Sequence, residues 1–345
     1  MKHIYVQAQA DHIESLFKGT PLSAIEELVW NALDAGAHEV KVDLLTNPLG
    51  AVDAVRVSDD GVGIDVLNAD HTFGNLGGSW KRQGGVSGAG RRLHGRHGRG
   101  RFKAFALGTH AEWRTTTRAG DEMISYRIVG DAERPGVFDL DSAESVGPAT
   151  GTEVFITNVR AACDSLLDAA ETVQNLSARF ALYLKSYPDV RIYFNGLPVT
   201  PVVVQKCMTS RTLELEGGRS AKLEIIEWKR KFSGSGRLVF AGPDGFQLHE
   251  CPAGVRSGVG ASFTAYLVSS RFPALQAENA FLMDELHPEV REYLDAVKKA
   301  LKEYFAAAGE EKSEFETMWE ERIEQLSLDE RKALIALLKK SLKNK

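Results

Sequence analysis

Glu27, Asn31 and Asp34 stand at i, i+4 and i+7, so on a helix they form one polar stripe. Alone, such a stripe is what the solvated side of a surface helix looks like, but its neighbours change the reading. Asp59-Asp60-Gly61-Val62-Gly63 follows a strand-like run and sets acids ahead of two glycines. There a carboxylate can accept a hydrogen bond while the glycine backbone stays open to a flat ligand; a plain glycine turn ending a strand has the same composition. From His71 to Ala111 the chain has no Asp or Glu, while eight Lys and Arg residues lie between Lys81 and Lys103, and eleven of the 32 glycines fall between Gly74 and Gly108. Glycines at that density offer backbone N–H groups without side chains in the way, and a helix starting there would turn its positive end toward an anion. The segment lacks the βαβ placement of a dinucleotide fold and the Gly-Lys-Ser/Thr ending of a Walker loop.

The elements that must carry these residues follow from periodicity. Leu22, Ile25, Val29, Ala32 and Leu33 share one face at helical spacing, so 21–35 is expected to be an amphipathic helix, with Thr20 as N-cap, Pro21 in the first turn and Gly36 as stop. Alternating runs at 38–45 and 52–58, then at 111–117, 123–129 and 152–157, predict a mostly antiparallel sheet with helices on one face. A helix over 164–187 ends at Pro188 and leads to Val190–Phe194 and the turn Asn195-Gly196. Strand patterns at 199–205, 221–229, 236–241 and 261–268 and a helix over 285–306 make a second α+β unit, with further helices over 310–325 and 328–343. The expected organisation is 1–188, 189–308 and a helical tail over 309–345. No apolar run reaches the ~20 residues of a membrane-spanning helix, so a cytoplasmic protein with no membrane partner is expected. Cys163, Cys207 and Cys251, odd in number and widely spaced, suit neither a disulfide framework nor a zinc site. A net charge of -5 by itself demands no nucleic-acid partner.

The run Glu27-Leu28-Val29-Trp30-Asn31-Ala32-Leu33-Asp34-Ala35, then Asp59-Asp60-Gly61-Val62-Gly63, then the glycine segment closing with Gly95-Arg96-His97-Gly98-Arg99-Gly100, and finally Gly151-Thr152 opening the strand Glu153–Ile156 resemble the GHKL, or Bergerat-fold, ATPases: gyrase, the heat-shock chaperones, histidine kinases, MutL and MORC proteins. Tyr187–Gly196 is similar to the approach to the transducer domain of MutL, so the resemblance spans about 1–270. It implies a Bergerat-type α/β sandwich followed by a smaller transducer-like α+β domain, an α+β fold class throughout.

The resemblance also implies roles. Glu27 would be the general base that orients and deprotonates the attacking water. Asn31 would hold magnesium through its side-chain oxygen, and Asp34 would line the same pocket wall. Asp59 would accept a hydrogen bond from the adenine amino group, where guanine presents a carbonyl, with Thr152 assisting. Gly61 and Gly63 would admit the nucleotide, and Gly95, Gly98 and Gly100 would give N–H groups to the phosphates. Lys81, in Ser79-Trp80-Lys81-Arg82, and Lys103 are candidates for a phosphate contact, each weighed against a plain solvated lysine.

Departures narrow the subfamily. Where MutL proteins usually carry Asn-Thr-Pro-Ala-Arg-Arg after the Gly-Thr strand, this chain has Thr157-Asn158-Val159-Arg160-Ala161-Ala162, which points away from mismatch repair of the MutL kind. Phe73-Gly74, Ser79–Arg82 and Arg101-Phe102-Lys103 look nearest to MORC-like and related bacterial stand-alone proteins. Lys229, Arg230, Lys231 and Arg271 are candidates for a basic residue sent from the second domain to the γ-phosphate. The function so implied is magnesium-dependent ATP binding and hydrolysis driving closure of a homodimer that signals to a partner protein or to DNA, in phage defence or DNA maintenance. Two competitors stand beside it: a nucleic-acid-binding module with a vestigial ATPase, whose binding would weaken steeply with salt, and an ATP-dependent chaperone.

Overall fold

The computed structural model describes residues 10–74, 100–141, 149–231, 236–257, 260, 262–283 and 286–324, with the side chains of 70, 71 and 309–324 outside that set. In chain order the first part holds α1 (Ala10–Ser15), α2 (Pro21–Asp34), β1 (Glu39–Thr46), β2 (Val52–Asp59), α3 (Ala69–Gly74), β3 (Gly108–Ala119), β4 (Glu122–Asp131), β5 (Phe138–Leu140), β6 (Gly151–Val159), α4 (Ala169–Ser186), β7 (Arg191–Phe194) and β8 (Leu197–Pro198). The second holds α5 (Pro201–Val204), β9 (Gln205–Glu214), β10 (Ser220–Trp228), β11 (Arg237–Ala241), β12 (Gln247–Pro252), β13 (Ser262–Val268), α6 (Phe272–Ala277), α7 (Ala280–Met283) and α8 (Pro288–Glu324).

An eight-stranded sheet runs β5-β4-β3-β6-β2-β1-β7-β8 and a five-stranded sheet runs β12-β11-β13-β10-β9. Each is antiparallel apart from one parallel pair, β1 with β7 and β11 with β13, so the expected α+β class and mostly antiparallel first sheet are what the chain adopts.

The ends of α2 form as its residues dictate. The Thr20 hydroxyl accepts from the Ser23 N–H at 3.2 Å and Pro21 occupies the first turn. At the other end Gly36, at φ 80°, carries the chain out of the helix. Its N–H donates to Leu33 and that of Ala37 to Ala32, the paired bonds of a Schellman stop. Ile25, Val29 and Leu33 are buried in the first core, but so are Leu28 and Trp30, so the helix is covered on more than the one expected face. Glu26, Glu27 and Asn31 remain only half-buried.

Helix α4 belongs to both cores. Leu176, Phe180 and Tyr183 pack with the first sheet, while Ala178, Ala181 and Leu182 pack against Ile226, Trp228, Val239 and Tyr266 of the second. Small alanines on that side let the second sheet approach closely. Gly245, at φ 76°, marks how close: a Cβ there would lie 2.8 Å from the Leu182 carbonyl oxygen.

Four expectations about elements change. The helix expected over 164–187 begins at Ala169, because the Asp168 carboxylate caps it by accepting from Glu171 at 3.0 Å; a 3₁₀ turn fills 161–166. The strand expected over 199–205 is instead the short α5, since Pro201 suits a first helical position, and the strand follows it. The helices expected over 285–306 and 310–325 are continuous as α8, across the expected boundary at 308. Finally, β7 lies beyond the expected boundary at 188 yet pairs with β1, Val40 opposite Ile192, so the first sheet extends through Pro198.

Candidate functional site

Two groups of the expected residues come together around α2. At its middle, Glu27 and Asn31, one turn apart, face the backbone at Gly100. A Cβ on Gly100 would lie 2.5 Å from Glu27 Oε1 and about as near to the Asn31 amide, 3.0 Å from Nδ2 and 3.1 Å from Oδ1. Gly100 therefore closes over a carboxylate and an amide that share one small space, and a side chain there would have to push both of them aside. Gly100 opens a 3₁₀ run through Ala106 that is anchored by buried Phe102 and Phe105.

At the end of α2, Asp34 is buried, and Ala35 meets the loop after β2. The Val62 N–H donates to the Ala35 carbonyl at 2.9 Å, and a Cβ on Gly61 would lie 2.8 Å from that same oxygen. Gly63 adopts φ 74° and its Cα faces the Thr116 carbonyl so closely that a Cβ would sit 2.2 Å from the oxygen. Asp59, the last residue of β2, accepts from the Gly61 N–H at 2.8 Å and pairs in register with Thr152 of β6. Burial pushes the Asp59 carboxyl up from an ordinary 3.8 to about 6, although the backbone N–H groups of Gly61 and Thr152 pull it down. A half-buried carboxylate with two backbone donors is held in place and still has oxygen lone pairs available.

Two contributors were not foreseen. Thr115 of β3 meets Thr152 with hydroxyl oxygens 3.1 Å apart and accepts from the Ile64 N–H at 2.9 Å, tying the loop to the sheet beside Asp59. Asp60, the neighbour of Asp59, accepts from the N–H groups of His38 and Glu39 at 2.7 and 2.8 Å, which fixes the start of β1. Asp-Asp thus divides its work, one acid on the loop and one on the adjoining strand. Alternation in β3 and the turn potential of an Asp before glycine carry faint signals of these contacts, but the pairing of strands far apart in sequence decides them.

Other expected residues lie apart. Lys103 donates to the Lys18 carbonyl, just ahead of α2. Arg101 is buried with its guanidinium 4.5 Å from the Phe102 ring centre, and burial lowers its pKa to about 10. Arg271 pairs with Glu278 and Glu289, and Lys229 donates to the Val203 carbonyl at 2.8 Å. Lys81, Gly95 and Gly98 lie outside the described residues. A cavity of about 780 Å³, lined in part by Asp60, Val62, Gly63, Asp65, Thr117 and Met123, adjoins these residues at Gly63. Among the described residues no helix is long and apolar enough to cross a membrane.

Residues 20–133 match the family model described as Histidine kinase-, DNA gyrase B-, and HSP90-like ATPase. Over 269 residues the chain is 28% identical to a DNA mismatch repair protein MutL of Syntrophotalea carbinolica, an alignment that spans 73% of this chain and 38% of that protein. The chain thus covers well under half the length of this curated relative. The crystal structure of the N terminal domain of a DNA repair protein overlays with a TM-score of 0.49 and 14% identity, covering 87% of this chain and 98% of that one, a likeness too slight to add to the sequence matches.

Proposed function

We propose, from the match of residues 20–133 to this ATPase family and the likeness to MutL, that this chain is a GHKL ATPase that binds ATP with magnesium and hydrolyses it to drive a conformational switch. The observation that carries the reading is the meeting of Glu27, Asn31 and Gly100 in one small space, with the half-buried Asp59 carboxylate set beyond the C-terminal end of the same helix. That is a base and a cation ligand at the middle of the helix, and a single acceptor suited to an exocyclic amine beyond its C-terminal end.

The donor set fits a magnesium ion. Asn31 offers a side-chain oxygen beside the Glu27 carboxylate, and a small hard cation takes oxygen ligands while keeping several waters. Bound there, magnesium would neutralise charge on the phosphate oxygens. Glu27 would orient the attacking water and take its proton, a role worth roughly 10²–10⁴ in rate. Gly100, with Gly95 and Gly98, would give N–H groups to the phosphates. Asp59, positioned by Gly61 and Thr152, would select adenine; Gly63 and Asp34 would shape the walls, and Lys81 and Lys103 are candidate phosphate contacts. Closure would pair two protomers and pass a signal to a protein or DNA partner, a reading supported by likeness to a protein named for DNA mismatch repair. Phage defence and DNA maintenance are the settings that suit such a switch.

Titration calorimetry with magnesium-ATP tests the site. The wild-type chain should bind and Asp59→Asn should show no measurable affinity. Equal heats from both proteins would refute the adenine assignment.

A further inference from the structure

The helix that carries Glu27 touches the second sheet's unit directly. Glu26, the preceding residue, points away from Gly100 to Arg179 of α4, with Glu26 Oε2 3.4 Å from Arg179 Nε. The same guanidinium pairs through Nη1 with Glu250 of β12. Glu250 in turn accepts from Arg237 Nε of β11 at 2.7 Å. Around this line the packing is apolar and close: Trp30, one turn along α2, lies 4.8 Å from the Phe180 ring centre and 6.3 Å from that of Phe246, in the loop between β11 and β12. The backbone of α4 is held to the second sheet as well, since Tyr266 donates to the Ala178 carbonyl and Gln247 to that of Arg179.

We propose that Glu26, Arg179 and Glu250 form a positioning relay through which the second unit sets the orientation of α2, and so of the Glu27 carboxylate. This rests on the reading of Glu27 as the base. One arginine serves two acids on different units, so a shift of β12 relative to α4 changes its hold on Glu26. The neighbours on the helix, Glu26 and Glu27, project about 100° apart, so a small rotation of α2 driven at Glu26 also displaces the base. Misplacing a reacting group by about 1 Å can cost on the order of 10²-fold in rate.

The groups facing Glu26 also give the relay a titration. Burial raises its carboxyl to about 7; Arg179 from α4 lowers it, and Glu250 from β12 and Glu27 on its own helix raise it. The pair with Arg179 is therefore made above pH 7 and released below it, so turnover should rise through that pH.

Full-length wild type, Arg179→Gln, Arg179→Lys, Glu26→Gln and Glu250→Gln are compared for ATP affinity, phosphate release and hydrogen exchange over 21–34. Arg179→Gln should lower kcat by roughly 10-fold to 10²-fold with KM within about twofold, because Asp59 lies apart from the relay. Arg179→Lys should restore most of it. Glu26→Gln should abolish the rise near pH 7, and Glu250→Gln should move it to lower pH by removing a like charge. Exchange over 21–34 should quicken in Arg179→Gln and Glu250→Gln. Unchanged kcat and pH profile in an active protein would overturn the relay while leaving the ATPase reading intact. A wild type that binds no ATP would refute that reading instead; unchanged exchange in both variants would then overturn the relay on its own.

Discussion

At the scale of single residues, the proposed adenine contact would set function against stability at Asp59. Its carboxyl is raised by burial to about 6, so the folded protein prefers it protonated, whereas an adenine amine prefers the ionised acceptor. Stability from this group is complete below pH 4, where folded and unfolded chains are both protonated, and is lost as pH rises through 6. Asp59→Asn should therefore melt higher than wild type at pH 7.5, by on the order of 1–3 kcal/mol, with the gap closing near pH 4. ATP affinity in wild type should move the other way and weaken below pH 6. Melting curves and calorimetry across pH 4 to 8 check both slopes, and a variant less stable than wild type at pH 7.5 would contradict the account. That Glu27 and Asn31 share a face and that Asp59 meets Gly61 was legible in the sequence, because each pair sits within one short run. Thr115 was not, since a hydroxyl on β3 reaches Thr152 only through strand register.

Among elements, the turns on either side of β2 depend on glycine for two separable reasons. Gly50 and Gly63 both have positive φ, 86° and 74°, but nothing lies within 4 Å of a Cβ at Gly50, whereas one at Gly63 would meet the Thr116 carbonyl at 2.2 Å. Gly50→Ala should cost only the backbone term, about 1 kcal/mol. Gly63→Ala must also push β3 away and should lose at least twice as much, measured by urea unfolding; equal losses would mean that the loop yields without moving the strand. Helix α2 and strands β1 and β2 were readable from periodicity and caps, because one face is buried and the ends carry Thr20, Pro21 and Gly36. Strand β12 escaped notice because Gln247, His249 and Glu250 break any apolar alternation; Gln247 and Glu250 bond Arg179 of α4, and His249 stacks on Phe281. The start of α5 at Pro201 was masked by the valines that follow it, which read as strand until the proline's fixed φ is weighed.

For the whole molecule, the two sheets share α4, and the order of the chain conceals it. A boundary near 188 follows from the Pro188 break, but β7 returns to pair with β1, and α4 lays alanines against the second sheet. Long-range pairings of this kind leave no local mark, so the link from Glu26 through Arg179 to Glu250 could be found only in three dimensions. On the proposed reading it would give the molecule a reason for two units: one would hold the chemistry and the other contacts the helix that carries Glu27. The central claim is that Glu27 is the base of an ATPase. Phosphate release from magnesium-ATP at saturation, in wild type and Glu27→Ala side by side, tests it most directly. The account predicts a fall of at least about 10²-fold in the variant; turnover equal to wild type would contradict it.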